Sequence, residues 1–161
     1  MQPWQFNSLP RIRGFTLIEL IVTLVIVAIV AVTALPRFFN RQTFDARGYY
    51  DQAIAMLRYG QKVAIAQRRD VYVNASASNN TLCLTYSADV TCALATGVIN
   101  PTDQTKFSKA TPVGVALLAS LSFSFSPLGK PSPDGANKSI GIVGDSMTRT
   151  ITIERETGYV H

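Results

Sequence analysis

The residue best placed to do chemistry in this sequence is Glu19, a single carboxylate inside an apolar run from Phe15 to Leu35. As a helix that rises about 1.5 Å per residue, the run would be roughly 31 Å long, which matches the hydrocarbon core of a bilayer. A charge inside a membrane helix costs roughly 2.5–3.5 kcal/mol on insertion scales. Glu19 is therefore expected to be neutral or paired with a cation, and the run itself contains no Lys or Arg.

Two arginines, Arg11 and Arg13, lie before the apolar run. Positive charges on this side predict that the N-terminus stays in the cytoplasm and that the chain after Leu35 lies across the membrane.

The net charge of +5 comes from 15 basic and 10 acidic residues, which form no basic stripe along the sequence. The charge therefore indicates a mixed solvated surface and disfavours a nucleic-acid partner.

A second pair of reactive side chains is formed by Cys83 and Cys92, the only cysteines of the chain. In an oxidising compartment outside the membrane, an even pair is expected to form a disulfide, and the offset between the two fits the arms of a hairpin. Closing this loop would stabilise the fold by about 2.5–3 kcal/mol. Free thiols are the alternative. A metal site would need further ligands, and the single histidine, His161, is at the far terminus.

The sequence contains no set of residues with catalytic spacing. A Ser-His-Asp triad would have to use His161, and there is no phosphate-binding loop, zinc spacing or dinucleotide fingerprint. The paired acids Glu154 and Glu156 flank a predicted surface turn and are interpreted as solvated charges. The sequence therefore predicts a protein without cofactor or metal that is not an enzyme, and it disfavours a membrane-tethered enzyme.

The elements that position these residues follow from a change of period along the chain. Pro36 is expected to interrupt one helical hydrogen bond, after which helical spacing resumes and continues to the segment 68–70. The predicted buried stripe of this helix consists of Ala46, Tyr50, Ala53, Leu57, Gly60 and Ala64. Its small residues would let a sheet approach closely.

From Val71 onward the apolar residues alternate with polar ones, which predicts short strands. These strands are 71–73, 81–86, 90–94, 121–125, 139–143, 150–154 and 159–161, with a loop over 96–112. The fold class is therefore predicted to be α+β. A long N-terminal helix, membrane-spanning in its first half, would pack on a C-terminal antiparallel sheet domain.

The segment from Arg13 to Leu20, RGFTLIEL, resembles the leader junction of type IV pilins and type II secretion pseudopilins. The resemblance implies that a prepilin peptidase cuts between Gly14 and Phe15, that the new amine of Phe15 is methylated, and that Glu19 serves assembly. Pro36 stands at the position where the family has a proline. The implied organisation is a leader over 1–14, a transmembrane and assembly helix over 15–36, and a periplasmic globular domain over 37–161.

Two other interpretations of the N-terminal segment remain open. It could be a plain membrane anchor, or a secretory signal peptide cut after Ala34, because the residues 32–34 fit the small-x-small rule. Against a signal peptide, the apolar run is longer than usual, and Glu19 interrupts it.

The second half of the chain resembles minor pilins of the FimT/GspH type in the segments 123–131, 150–153 and 157–160. The segments 34–38, 66–69 and 156–160 also resemble MshC-type minor pilins of the mannose-sensitive haemagglutinin (MSHA) pilus. These resemblances imply a structural minor pilin that is polymerised into a type IV pilus, of the MSHA type, at its tip or in its initiation complex.

The implied partners are other pilins or pseudopilins, the prepilin peptidase and the inner-membrane assembly platform. Before assembly the chain is expected in the inner membrane with its domain in the periplasm, and afterwards in a pilus or pseudopilus fibre. The alternatives are a type II secretion pseudopilin and, from a different class, a DNA-binding minor pilin. DNA binding is disfavoured, because residues 157–161 contain no Arg or Lys and Arg155 is flanked by two glutamates.

Overall fold

In the computed structural model, which describes residues 14–38 and 41–161, the helical part of the chain forms two helices in two separate units. The first unit ends at Asn40, and its described part contains helix α1 (Leu17–Phe38). The second unit begins at Arg41 and contains helix α2 (Arg41–Gln67) followed by the strands. The arrangement is α+β as predicted, and the described part of the N-terminal region is helical over Leu17–Phe38 and Arg41–Gln67.

Helix α1 continues two residues beyond Pro36, to Phe38. A proline inside a helix lacks only its own N–H donor, so the backbone can keep helical dihedral angles past it when the remaining hydrogen bonds are made. Over the residues that are described, no helix combines the length and the hydropathy required to span a bilayer.

Helix α2 buries the predicted stripe on the strands. Its buried residues include Ala46, Ala53, Leu57, Gly60 and Ala64, together with Tyr49 and Met56, whereas Tyr50 is half-buried. A Cβ atom at Gly60 would lie 3.0 Å from a methyl carbon of Leu84, so the glycine lets the second strand approach closely. The helix ends at Gln67, as expected, because Arg68 takes a positive φ of 51°.

The strands form two antiparallel sheets. The strands are β1 (Val71–Ser76), β2 (Thr81–Thr85), β3 (Ser108–Ala110), β4 (Val115–Leu117), β5 (Leu121–Phe125), β6 (Pro131–Ser132), β7 (Lys138–Gly144) and β8 (Met147–Ile153). The five-stranded sheet has the order β3-β2-β1-β5-β6, and the three-stranded sheet has the order β4-β7-β8. Residues of α2 and of both sheets form one hydrophobic core, whose largest fully buried side chain is Phe125.

The structure corrects the sequence in three places. The segment 90–94 is irregular rather than a strand, since Cys92 and Leu94 have φ angles of 54° and 61°. The expected loop 96–112 contains β3, and β4 and β6 are further short strands that the sequence did not predict. The end of the chain forms one isolated bridge, from Val160 to Ile153, instead of a full strand.

Candidate processing and assembly site

The first turn of α1 is fixed by Thr16, the residue directly before the helix. Its Oγ1 accepts a hydrogen bond from the backbone N–H of Glu19 at 3.2 Å, and its carbonyl accepts one from the N–H of Leu20 at 3.1 Å. A threonine that caps a helix in this way typically stabilises it by about 1 kcal/mol. The spacing of Thr16 and Glu19 is that of a capping box, a signal that sequence reasoning missed. The cap therefore defines where Glu19 stands.

From Leu17 to Val32, the side chains of α1 are apolar apart from Glu19 and Thr23. The large apolar side chains from Leu17 to Val32 are all exposed, and Thr23 donates its hydroxyl to the carbonyl of Leu20 at 2.8 Å. A threonine that bonds its own helix presents mainly its methyl group to the surroundings. Among the described residues, the ion pairs all lie in the second unit, so none involves Glu19. The carboxylate is thus the group on this helix that can pair with an outside cation.

The predicted cleavage junction lies just outside the helix. Gly14 and Phe15 precede α1 and are exposed, and a Cβ atom placed on Gly14 would meet no other atom within 4 Å. The bond between them is therefore open to an enzyme. Arg11 and Arg13 lie outside the described residues, and of Pro36 only the backbone is described, within α1.

The second unit contains the predicted disulfide, between Cys83 and Cys92, with the two Cα atoms 5.9 Å apart. The predicted pairing is confirmed. The prediction that the two cysteines lie on the arms of a hairpin is wrong, because the disulfide joins strand β2 to an irregular loop. Asp89 shapes this loop: its carboxylate accepts hydrogen bonds from the backbone of Thr91 and Leu94 and from the hydroxyl of Thr91.

The electrostatics of Asp89 favour its charged form. Burial by itself would raise the pKa of this carboxyl, but the hydrogen bonds from Thr91 and from the backbone of Leu94 and Ala93 outweigh it and lower the pKa. The turn that carries Cys92 is therefore held by an ionised carboxylate at neutral pH.

A buried polar cluster ties the same loop to the sheet, and sequence reasoning missed it. Asn74 of β1 is fully buried and donates from Nδ2 to the hydroxyl of Thr85 at 2.7 Å. Its Oδ1 accepts from the N–H of Asp89 at 3.1 Å and from the hydroxyl of Ser122 at 2.7 Å. Because these partners are far apart in sequence, only the polar residue at a buried strand position could have indicated the cluster.

The segments that resemble minor pilins in the second half of the chain come together at α2. Gln61 donates from Nε2 to the carbonyls of Gly129 at 2.9 Å and Thr157 at 3.1 Å, while Arg58 donates to the carbonyl of Val160 at 2.9 Å. A Cβ atom at residue 158 would overlap the Gly129 carbonyl, and the glycine there has a φ of +68°. Gly158 is thus required for residues 157–160 to pack against α2.

Two basic residues, Arg68 and Arg69, directly follow α2, where positive charge suits the C-terminus of a helix. Arg69 stacks its guanidinium over the ring of Tyr86, 3.7 Å from the ring centre. Across the described residues, no group of three or more His, Cys, Asp or Glu side chains could hold a metal ion.

Residues 9–35 match the family model of the prokaryotic N-terminal methylation motif. No curated protein matches the chain in sequence. The type IV minor pilin FimU of Pseudomonas aeruginosa PAO1 aligns in one crystal form with a TM-score of 0.51 and 16% identity, over 74% of this chain and 90% of FimU. Its other crystal form gives 0.51 and 17%, over 76% and 87%.

The minor pseudopilin EpsH of the Vibrio cholerae type 2 secretion system is also similar, with a TM-score of 0.49 and 14% identity, over 76% of this chain and 95% of EpsH. The methylation motif covers Gly14, Phe15 and Glu19, and the FimU alignment identifies the fold.

Proposed function

The chain carries the N-terminal methylation motif and the fold of type IV pilins, and we propose from these two findings that it is a structural minor subunit of a type IV pilus or of a related pseudopilus. The two findings confirm the resemblance seen in the segment 13–20. Pilins and pseudopilins are structural subunits, which agrees with the expectation that the chain is not an enzyme.

The first step of the proposed function is removal of residues 1–14. The exposed Gly14–Phe15 bond, directly before a capped helix, is accessible to a prepilin peptidase. Cleavage creates an amine on Phe15, one residue before the cap at Thr16, and methylation would keep its positive charge. The amine then lies two residues before α1, whose first turn carries Glu19.

The second step is anchoring and assembly. Residues 15–36 would hold the subunit in the inner membrane, with residues 37–161 in the periplasm, where the disulfide is stable. During assembly Glu19 would pair with the Phe15 amine of a neighbouring subunit. Because desolvation offsets much of the attraction in an apolar environment, the pair contributes more to the axial register of the subunit than to stability.

One observation supports this proposal most directly: the methylation motif coincides with an apolar helix whose only carboxylate stands in a capped first turn. A plain anchor has no need for a carboxylate at this position, since it costs insertion free energy. A signal peptide cut after Ala34 would discard Glu19 altogether.

The test is the N-terminus of the protein after expression with its assembly system. Gly14→Val is expected to leave a full-length precursor in the inner membrane, because the side chain blocks a subsite that accepts glycine. Gly48→Val is the matched control, as a Cβ atom at Gly48 also meets nothing within 4 Å. Mass spectrometry should find Phe15 as the first residue of the wild type and of the control. A mature N-terminus at Leu35 would contradict the proposal and favour a signal peptide.

The finer placement, at the tip or in the initiation complex of an MSHA-type pilus, rests on the resemblance in residues 34–38, 66–69 and 156–160. Immunogold labelling of fibres would test it, with one label at a fibre end expected and labels along the shaft against it. Neighbouring genes would separate a pilus subunit from a secretion pseudopilin. DNA binding is disfavoured because Arg155 pairs with Glu156 at 3.1 Å, which leaves little free positive charge near the C-terminus.

A further inference from the structure

Within the described part of the chain, Arg149 of strand β8 carries the one buried side-chain nitrogen or oxygen that lacks a hydrogen-bond partner. This atom is Nη1 of its guanidinium. The ion pairs in the same part of the chain use Lys130 and Arg155 as their basic members, and His161 lies 3.9 Å from Glu154, so none of these contacts involves Arg149. A charged group buried with an unpaired donor destabilises a fold. Arg149 therefore has no evident role in the stability of its own unit.

Arg149 stands where the inner face of the three-stranded sheet reaches the surface. Side chains two residues apart on a strand point the same way, so Met147, Arg149, Ile151 and Ile153 share a face. Along this row, Met147 is 57% exposed, Arg149 is half-buried, and the two isoleucines are fully buried. The guanidinium thus lies at the border of the core, with Nη1 buried and the side chain as a whole half-buried.

The carboxylate nearest in sequence to Arg149 is already engaged. Asp145, in the turn between β7 and β8, accepts a hydrogen bond from the hydroxyl of Thr43 in the first turn of α2. The turn residues Asp145 and Ser146 have φ angles of 56° and 58°, as a two-residue hairpin turn requires. The hairpin is therefore fastened to α2, and its carboxylate is held by α2 rather than by Arg149.

Three large apolar side chains are exposed at the same end of the unit. Phe44, which follows Thr43, is 79% exposed, and Val113 is 93% exposed. Val113 precedes Gly114, whose carbonyl oxygen lies close to Gly144 beside the turn. We term Phe44, Val113, Met147 and Arg149 together the Arg149 surface. Apolar neighbours that exclude water strengthen the interaction of a cation with an incoming anion.

We infer that the Arg149 surface is a contact with a neighbouring subunit of the fibre, which places a carboxylate against the guanidinium and apolar side chains against Phe44, Val113 and Met147. The inference rests on the proposed function. A guanidinium without a counter-ion is complementary to a carboxylate, which it binds through two parallel hydrogen bonds. Anionic membranes are instead recognised by clusters of several basic residues, whereas this surface has one arginine among apolar side chains.

The inference predicts opposite effects of one substitution on stability and on assembly. Arg149→Met keeps the aliphatic stem and removes the unpaired donor, so the melting temperature of the full chain in detergent should stay the same or rise by about 3–5 °C. Its recovery in the fibre fraction should fall by about 10-fold or more, since the partner's carboxylate loses its cation. Arg149→Lys, which keeps the charge but loses the two-pronged geometry, should fall about 3-fold.

The experiment compares these full-length variants with wild type in cells that hold the complete assembly system. Arg47→Met, an exposed arginine of α2, is the matched control and should change neither readout. For each variant we would measure thermal unfolding, the processed protein in the membrane fraction, and the processed protein in sheared fibres.

A lower melting temperature of Arg149→Met would overturn the inference, because Arg149 would then stabilise its own unit. Recovery in fibres equal to wild type would also overturn it. If wild type itself were absent from fibres, the proposed function would fail and this inference with it. Wild type in fibres together with full recovery of Arg149→Met would remove this inference alone.

Discussion

The large apolar side chains of helix α1 are exposed, whereas the second unit buries its core side chains. From Leu17 to Val32, the large apolar side chains of α1 are between 48% and 75% exposed. In α2, by contrast, Leu57 and Met56 are buried against two sheets that belong to the same unit. The second unit therefore completes its core with its own residues, whereas α1 presents a contiguous exposed apolar surface, which is typical of an interaction site.

The two regions differ in the same way in their polar groups. The second unit satisfies Asn74 within its own sheet and loop. At the start of α1, the hydroxyls of Thr16 and Thr23 form hydrogen bonds with backbone groups of the helix. The carboxylate of Glu19 forms no ion pair among the described residues. The difference agrees with the proposal that α1 serves assembly, whereas the second unit satisfies its buried polar groups internally.

The largest expected effect comes from the same substitution made in both regions. Leu57→Ala should lower the free energy of unfolding of the second unit by about 3–5 kcal/mol, because it leaves a cavity in a closed core. Leu24→Ala, at a position 62% exposed, should change this free energy by less than about 0.5 kcal/mol. Denaturant unfolding of the full chain in detergent measures both. Equal losses would mean that the two regions share one core.

A smaller effect is expected from the disulfide. Replacing both Cys83 and Cys92 by alanine should destabilise the second unit by about 2.5–3 kcal/mol, since the unfolded chain is no longer constrained by the closed loop. Thiol labelling of the denatured wild type without reductant should find no free cysteine. Labelling of both residues would contradict the pairing and remove the evidence for an oxidising compartment.

The smallest effect should be local to the start of α1. Thr16→Val keeps the shape of the side chain but removes the acceptor for the Glu19 amide, which costs about 1 kcal/mol of cap stability. The amides of Glu19 and Leu20 should then exchange hydrogen about 5-fold faster, as measured by NMR in detergent. Thr23→Val is the control, because its hydroxyl only donates back to Leu20. Unchanged exchange in Thr16→Val would show that the cap does not hold the first turn.

The structure could be predicted from the sequence where a local pattern of residues determines it. The stripe from Ala46 to Ala64 follows the period of a helix, and the chemistry of the segment 13–20 is contained in adjacent residues. The prediction failed at Cys92, because Asp89 draws the backbone of Thr91 and Leu94 into a turn where apolar alternation predicts a strand.

Contacts between segments that are distant in the chain could not be predicted from the sequence. Nothing in the local sequence marks Gln61 on α2, yet it donates hydrogen bonds to the carbonyls of Gly129 and Thr157. The missing bond at Arg149 likewise follows only from how β8 lies against its neighbours. Such features depend on the packing of several elements, which no local period encodes.

The central claim is that Glu19 acts between subunits rather than within its own helix. Pairing with the Phe15 amine of the same chain is the competing explanation, because Phe15 lies only four residues before Glu19. Glu19→Ala and Glu19→Leu keep the cleavage junction intact, and leucine suits a membrane better than glutamate does. Both variants should therefore be processed and inserted like wild type.

The decisive measurement is the ratio of processed protein in sheared fibres to processed protein in the inner membrane. We expect this ratio to fall by at least about 10-fold in both variants, because an incoming subunit loses the charge that sets its register. Fibres that contain Glu19→Ala and Glu19→Leu at the wild-type ratio would contradict the account, since Glu19 would then not be an assembly contact.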